Sequence, residues 1–549
     1  MTFWRLIRRS LAHYWCSNAA VVFGVAVAVA VLVGSLMVGD SVRGSLRELA
    51  SERLGRVDYA LAAPSFFTEE LGNRLLRQDR AAERCDLAVP AIVLQGSVER
   101  AASDSMPAQV SVIGVRDEFW KLGRVNREIS LEGRQVALNQ DLADDLGAAE
   151  DDAVLLRLVR QGDAPVDTAF GRRSPQDTVS NLRLNVARVI SSEGLGKFSL
   201  RNDNPRPANI YVPLSWLQDR LNRSGRANAL LVSAKEGYRT DDTLSVLEDA
   251  LGEAGVPADY GLKLSEEEGG YLSLESAQMV MDPAAVDAAR VAAEEADLRA
   301  EIHSIYLANS LDLIENGETT ASVPYSVVAG VNPRAAPPLG PLPMTNGEEP
   351  PELGRNDILL NEWAAERLST SAGSTIRMSY YVWTERGQLE TRSRELTLRG
   401  VVKMQGPAID TGLIPEYEGV TDAATMADWD PPFPLDRNRI DLEDDRYWEQ
   451  YGPAPKAFLS PGTVRSLWQA SGEGGDGWVT GIGILPGGRS LDQTREVFSR
   501  TLQKQLNPRD FGLAFLPVKE RALESARGST DFGVLFLSMS MFIVAAAAG

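Results

Sequence analysis

The sequence repeats a series of short phrases in the same order, and this repetition limits the possible folds more than any other feature. The phrase "DYGL" at 259–262 is matched by "DFGL" at 510–513. Five further pairs of similar phrases precede these two, in the same order and at similar spacings. An ordered set of matches indicates a duplicated unit. We therefore predict two copies of one fold, over residues 57–264 and 271–519.

Each copy alternates short apolar strands with helical patterns and contains a mainly β stretch in its middle. We predict an α+β fold in which each copy is a porter-like α/β unit with an inserted β-rich lobe. One helix start is well marked, because Asp282 is a typical N-cap and Pro283 a typical first helical residue. Gly261 and Gly512 indicate a bend or a close backbone approach in the last strand of each copy.

Two segments interrupt the symmetry. Residues 332–351 contain seven prolines, which predicts a loop. Residues 404–455 are an insert in the second copy, with 12 acidic residues against three arginines. Since only one copy carries this insert, we expect the fold not to need it, and its deletion to leave the domain folded.

Aromatic residues among the acids of the insert suggest a surface for an external protein partner. The alternative is a loop that packs its aromatic residues on its own domain. The candidate surface residues are Trp429, Asp430, Asp444, Tyr447 and Trp448.

The N-terminus has the pattern of a membrane anchor. Residues 19–38 form an uncharged run of 20 residues, enough to cross about 30 Å of hydrocarbon as a helix. We predict an amphipathic cytoplasmic lead over 1–17 and a transmembrane helix over 18–39. Arg5, Arg8 and Arg9 precede the span and place the N-terminus in the cytoplasm. The alternative is a cleaved signal peptide.

The C-terminus carries a second apolar run, with no charge over residues 532–549. We expect residues 527–549 to begin a second, truncated transmembrane helix, the alternative being a short tail anchor. Residues 40–264, the first core unit, and 265–526, the second, would then lie outside the cytoplasm. This arrangement predicts a membrane protein whose bulk lies on the outer side of the membrane.

Composition excludes several classes of function. The net charge of −20 argues against nucleic-acid binding, which needs a basic surface. Two histidines and two widely separated cysteines, Cys16 and Cys85, give no metal site and no disulfide framework. No phosphate-binding loop, nucleophile elbow or metalloprotease motif occurs. We therefore predict no catalytic residue, no cofactor and no metal.

The chain resembles the FtsX-like (MacB/Lol-type) ABC transporter permeases. The resemblance lies in the apolar region at 5–49, in the "LN..LA..LG" phrase at 138–147, and in the closing phrases described above. It also lies in the plan of one span, a large external domain and a second span. The usual permease has one external core domain between its first two spans, whereas this sequence predicts two.

The resemblance implies that this chain is the N-terminal part of a permease whose external domain moves when a separate cytoplasmic ATPase hydrolyses ATP. It further implies a location in the bacterial inner membrane, with the bulk of the chain periplasmic or extracellular. The lipid bilayer, a homo- or heterodimer of permeases, and export, lipoprotein release or hydrolase activation as the output are also implied by the resemblance. The alternative is a membrane-anchored external scaffold or binding protein without an ATPase. An external enzyme is the least favoured reading.

Overall fold

The computed structural model describes residues 3–101, 108–124, 129–159, 179–200, 206–383, 389–415, 417, 419–431, 434–468 and 478–525. The predicted second transmembrane helix, 527–549, lies outside these residues.

Two helices open the chain, α1 (Phe3–His13) and α2 (Trp15–Leu54). The axes of α1 and of the first part of α2 make an angle of 80°. Among the described residues no single helix meets the length and composition of a bilayer span, although α1 and residues 15–30 of α2 meet them as a bent pair. Helix α2 has 40 residues and is therefore about 60 Å long. It continues without a break into the first copy.

The first copy contains nine strands and five helices in its described residues. In chain order they are β1 (Tyr59–Thr68), α3 (Leu71–Leu75), α4 (Asp79–Arg84), β2 (Cys85–Arg100), β3 (Ala108–Val115), β4 (Gln135–Asn139), α5 (Gln140–Leu146), β5 (Ala153–Val159), β6 (Val179–Ile190), β7 (Asn209–Pro213), α6 (Leu214–Arg220), β8 (Arg226–Ala234), α7 (Asp241–Ala254) and β9 (Leu262–Glu267).

The second copy has nine strands and six helices within the same description. In chain order they are β10 (Tyr271–Ser276), α8 (Pro283–Glu295), β11 (Arg299–Glu315), β12 (Glu318–Gly330), β13 (Asp357–Asn361), α9 (Glu362–Arg367), β14 (Thr375–Trp383), β15 (Leu389–Val402), α10 (Leu442–Tyr451), β16 (Ala457–Leu459), α11 (Pro461–Trp468), β17 (Gly481–Leu485), α12 (Leu491–Gln505), β18 (Phe515–Leu516) and α13 (Val518–Ser525).

Both copies have the same strand order. In the first copy six strands close into a barrel in the order β2-β3-β7-β4-β6-β5, because β5 also pairs with β2. In the second copy β11-β12-β16-β13-β15-β14 close in the same way, because β14 pairs with β11. Even the irregularity between the parallel strands recurs, at Val136/Ala137 and at Ile358/Leu359. The barrel is the β-rich lobe that the sequence predicted.

Two sequence signals have the local structure predicted for them. The side chain of Asp282 caps α8 by accepting a hydrogen bond from the backbone N–H of Ala284, and Pro283 is the first helical residue. Gly261 and Gly512 have φ of +72° and +71°, a conformation that glycine adopts without strain, and each follows one turn of 3₁₀ helix. The bend at the last strand is therefore the same in both copies.

Buried apolar side chains form five clusters. The barrel of each copy encloses one of them. A third lies between the remaining strands and the helices α3, α4, α7, α8 and α12, and it contains residues of both copies. The two copies thus share one core where their α/β layers meet. The last two clusters lie on corresponding outer faces of the two copies, and they are described next.

Candidate functional site

The two helices that lead toward the predicted membrane segments meet on the first copy. The C-terminal end of α2 and the helix α13 lie against each other. Leu54 of α2 and Val518 and Ala522 of α13 are buried in one apolar cluster with residues of the first copy. We call α2 and α13 the stalk helices, and this buried contact the stalk junction. The chain therefore enters and leaves its external part at one place.

A buried carboxylate holds the stalk junction together. Asp58, which is 4% exposed, lies between the end of α2 and β1. Its carboxylate accepts from Nζ of Lys519 at 2.9 Å and from the backbone N–H of Ala234 at 3.1 Å, and it forms an ion pair with Arg239, whose Nε lies 3.1 Å away. Lys519, the second residue of α13, also donates to the carbonyl oxygen of Gly55 at 2.8 Å. One carboxylate thus links both stalk helices to the first copy.

The charges at the junction are partly desolvated. Burial lowers the pKa of the Lys519 ammonium, and the Asp58 carboxylate acts in the opposite direction. A buried charge pair with additional hydrogen bonds is costly to break, because each partner left alone loses its compensation. The junction is therefore suited to a fixed connection between the stalk helices and the domain.

The stalk face of the first copy has an aromatic floor. It is made by Phe119, Trp120, Phe198 and Tyr211, whose ring centroids lie 5.2 to 5.9 Å apart in the contacting pairs. A short 3₁₀ helix after β6, Gly194–Lys197, reaches the end of α2. The floor and this turn form the surface on which the stalk helices rest.

In the second copy the corresponding face is covered by the acidic insert. Strand register places Phe458 where the first copy has Tyr211, because these two residues pair with Ala329 and Ile113 at the same step of the barrel. A 3₁₀ helix after β15, Gly406–Ile409, matches the one after β6. The insert continues from there across Phe458. It occupies the place that the stalk helices take on the first copy.

The insert contributes to the core of the second copy. Its buried members include Ala408, Leu413, Ile414, Tyr417, Val420, Met426, Trp429 and Trp448. The expectation that the fold does not need this insert is therefore corrected. The physical reason is that the apolar face beneath it, which the stalk helices cover in the first copy, would otherwise be exposed to water.

Four of the five candidate surface residues are buried. They fit the alternative that the sequence left open, in which the insert packs its aromatic residues on its own domain. Trp429 is fully buried and packs edge-on against Trp448, at 4.8 Å between ring centroids. Tyr447 is buried and donates to the carbonyl oxygen of Ala454 at 3.0 Å. Asp444 is buried as well, and Asp430 alone is exposed. A partner surface on the insert stays a prediction that these buried side chains do not support.

A buried ion pair fixes the insert to the barrel. Nζ of Lys456 lies 3.3 Å from the Asp444 carboxylate, and both side chains are at most 3% exposed. The ammonium also lies 4.6 Å from the ring centroid of Trp363 and 5.0 Å from that of Tyr447. Burial lowers the pKa of Lys456 to about 8 and raises that of Asp444, with each partner opposing the shift of the other.

Sequence reasoning missed Asp58, Lys519 and Lys456. A signal existed for the last of them, since the matched phrases "NIYVPLSWL" and "KAFLSPGTV" align Lys456 with the uncharged Asn209. Asn209 is buried too and donates to carbonyl oxygens of its own copy. A charge that replaces a neutral residue at a buried repeat position needs a partner, and the insert supplies Asp444.

The described residues contain no group of three or more His, Cys, Asp or Glu side chains arranged to hold a metal ion. His303 is buried in the second copy, and burial lowers its pKa to about 4. It borders a cavity of about 10 Å³, roughly the size that one water molecule needs.

Comparisons with known proteins give one family match and several similar structures. Residues 19–250 match the family described as MacB-like periplasmic core domain. No curated protein sequence matches the chain. Solved structures similar to this chain include the periplasmic region of MacB from Actinobacillus actinomycetemcomitans, at 12% identity and a TM-score of 0.25, covering 37% of this chain and 86% of that one.

Another is the extracellular domain of the noncanonic ABC-type transporter YknZ from Gram-positive bacteria, at 12% identity and a TM-score of 0.24. The match covers 36% of this chain and 92% of the YknZ domain. The sequence match extends from α2 through most of α7 and thus includes nearly all of the first copy. Residues 19–250 are thus similar in sequence to the MacB-like periplasmic core domain family, in agreement with the resemblance to the FtsX-like permeases.

Proposed function

We propose that this chain is the N-terminal part of an FtsX-like, MacB-type permease. In this proposal a separate cytoplasmic ATPase moves the membrane helices, and the external domain moves with them. The observation that carries the proposal is the stalk junction. Two helices that lead toward the predicted membrane segments are joined to the same face of the domain by a buried carboxylate.

The geometry suits the transfer of movement. Helix α2 extends about 22 Å past residue 39, the end of the predicted span, and has no break before Leu54. A continuous helix transmits a displacement along its axis, whereas a flexible linker would absorb it. At the junction a relative movement of α2 and α13 acts directly on Asp58 and the first strand.

The output is a change in the position of the external domain. Export, lipoprotein release and activation of a cell-wall hydrolase would each use such a change. The second candidate function, a membrane-anchored scaffold without an ATPase, keeps the same fold but needs no relative movement of the stalk helices. The two functions therefore differ in whether the junction responds to nucleotide.

The test measures that response with a pair of cysteines beside the junction, Ala60→Cys on β1 and Leu516→Cys on β18, in the full chain, so that Asp58 and Lys519 stay in place. Ala60 and Leu516 face each other in the antiparallel ladder between β1 and β18, so their two Cα atoms are close enough for a disulfide. The chain is purified from its native membranes with its associated proteins and placed in lipid vesicles. We expect Mg-ATP to change the rate of disulfide formation several-fold.

The matched control is the pair Ser265→Cys and Ser273→Cys, which face each other across β9 and β10, away from the stalk. Its rate of disulfide formation should not depend on ATP. Equal rates with and without ATP at the junction would favour the scaffold. A nucleotide effect on both pairs would indicate a global change that does not pass through the stalk helices.

The proposed topology places the N-terminus in the cytoplasm and residues 40–526 outside. Cys85 is a poor probe of this, because it is buried and burial raises its pKa to about 11. We expect an Asp430→Cys variant, exposed on the insert, to react with an impermeant maleimide in intact cells lacking an outer-membrane barrier. Reaction only after the membrane is opened would overturn the orientation.

A further inference from the structure

The two copies exchange their closing strands. Strand β9 ends the first copy but pairs with β10, the first strand of the second copy. Strand β18 ends the second copy but pairs with β1, the first strand of the first copy. The register is the same in both places, since Leu264 faces Leu274 and Phe515 faces Leu61. Each copy thus covers the open sheet edge of the other.

Equivalent residues of the two copies meet at the centre of this exchange. Tyr260 and Phe511 occupy the same position of the repeated phrase, and their ring centroids lie 4.9 Å apart. A contact between equivalent residues is what a two-fold arrangement of two identical units produces. The copies are therefore related as the subunits of a symmetric dimer are, although they belong to one chain.

Polar contacts around this centre also cross between the copies. Arg509 forms an ion pair with Glu248 at 2.6 Å, and Arg495 forms one with Glu266 at 2.8 Å. Gln503 donates to the carbonyl oxygen of Glu253 at 3.0 Å. Beneath them lies the apolar core that both copies share. The covalent link, in contrast, is only the short turn at 268–270 between β9 and β10.

The insert covers the face of the second copy that corresponds to the stalk face of the first. Among the described residues the second copy is joined to a stalk helix only through β18, which pairs with β1 of the first copy and leads into α13. A movement that arrives at the first copy can therefore reach the second through the exchanged strands, through the Tyr260–Phe511 contact or through the turn. The turn has two consecutive glycines, Gly269 and Gly270, and Gly270 has φ of +84°.

We propose that the exchanged strands and the Tyr260–Phe511 contact form a mechanical lock that makes the two copies move as one body. The role of the lock in transmitting stalk movement rests on the proposed function, but the lock itself needs no ATPase. Stalk movement acts on the first copy, against which α2 and α13 both pack, and on the exchanged strand β18, which leads into α13. The lock carries it to the second copy, whose outer surfaces then move at a distance from the membrane.

The experiment cuts the covalent link and asks whether the lock holds. A protease site replaces Glu268, Gly269 and Gly270 in the full chain, and the protein is cleaved in detergent. We expect the two fragments to elute together after dilution into fresh detergent and to melt at the temperature of the uncut protein. Separation of the fragments at micromolar concentration would overturn the proposal.

A second variant shows that the lock, and not a shared micelle, holds the fragments. We expect cleaved protein that carries Tyr260→Ala and Phe511→Ala to dissociate at least ten-fold more readily. The control is Asp510→Ala, an exposed neighbour of Phe511, which should behave as the parent. Equal retention of the double variant and the parent would exclude the aromatic contact as part of the lock. If the two fragments stay together but ATP has no effect on disulfide formation at the stalk junction, the proposed function is rejected and the lock still stands.

Discussion

Deletion of residues 410–452, bridged by a short Gly/Ser linker, should unfold the second copy. The segment buries seven large apolar side chains in one cluster, Leu413, Ile414, Tyr417, Val420, Met426, Trp429 and Trp448. At about 1.5–3 kcal/mol each, their burial contributes at most roughly 10–20 kcal/mol, which matches the whole stability of a typical domain. Closing the loop costs little by comparison. We expect loss of the cooperative melting transition and binding of a hydrophobic dye.

A pair of single substitutions makes the same test without a large deletion. Trp429→Ala should lower the free energy of unfolding by about 3–5 kcal/mol, because it leaves a cavity in a packed core. Asp430→Ala, at the exposed neighbour, should change it by less than about 0.5 kcal/mol. Chemical denaturation monitored by circular dichroism measures both. Cooperative unfolding of the deletion variant at the parent's midpoint would show that the insert is dispensable.

Removing the ammonium of Lys456 should have an effect of similar size. Lys456→Met leaves the Asp444 carboxylate buried without its partner, and breaking a buried pair in this way costs about 3–5 kcal/mol. Adding Asp444→Asn removes the unpaired charge and keeps an oxygen that can accept from the backbone N–H of Asp441. We therefore expect the double variant to recover most of the loss. A double variant no more stable than the single one would contradict the account of the pair.

The same pair gives a pH dependence whose sign follows from the lowered pKa. Lys456 has a pKa of about 8 in the folded protein, against an ordinary 10.5. Between these values the unfolded chain binds more protons than the folded one, so stability rises with pH. Relative to the double variant, the parent should gain up to about 1.4 kcal/mol per pH unit across this window. If the parent instead loses stability relative to the double variant as the pH rises, the lowered pKa of Lys456 is wrong.

The sequence predicted the repeated parts of this fold well, because repetition and capping are local signals. Asp282 marked the start of α8, and the phrase at 259–262 marked the bend that recurs at 510–513. The inserted β-rich lobe was predicted as a lobe, but its closure into a barrel depends on pairings between β2 and β5 that no local pattern encodes.

The remaining features depend on contacts between distant segments. The sequence could not predict the exchange of closing strands, because the same phrase leads into β9 and β18 and either strand would fit either first strand. The insert appeared dispensable because one copy lacks it, although that copy has the stalk helices in the same place. Sequence reasoning did not single out Lys456, because charged side chains are rarely buried. The buried surroundings of Lys456 exist only once the insert has folded over this residue.

The exchange of closing strands has a consequence for biosynthesis. The edge of β1 at Ala60 finds its partner, Leu516, only after roughly 450 further residues have been made, whereas β9 and β10 pair as soon as they emerge. An unpaired edge is a site for aggregation during that interval. The second copy can therefore complete its sheet before the first, and the domain nearest the N-terminus is the last to close.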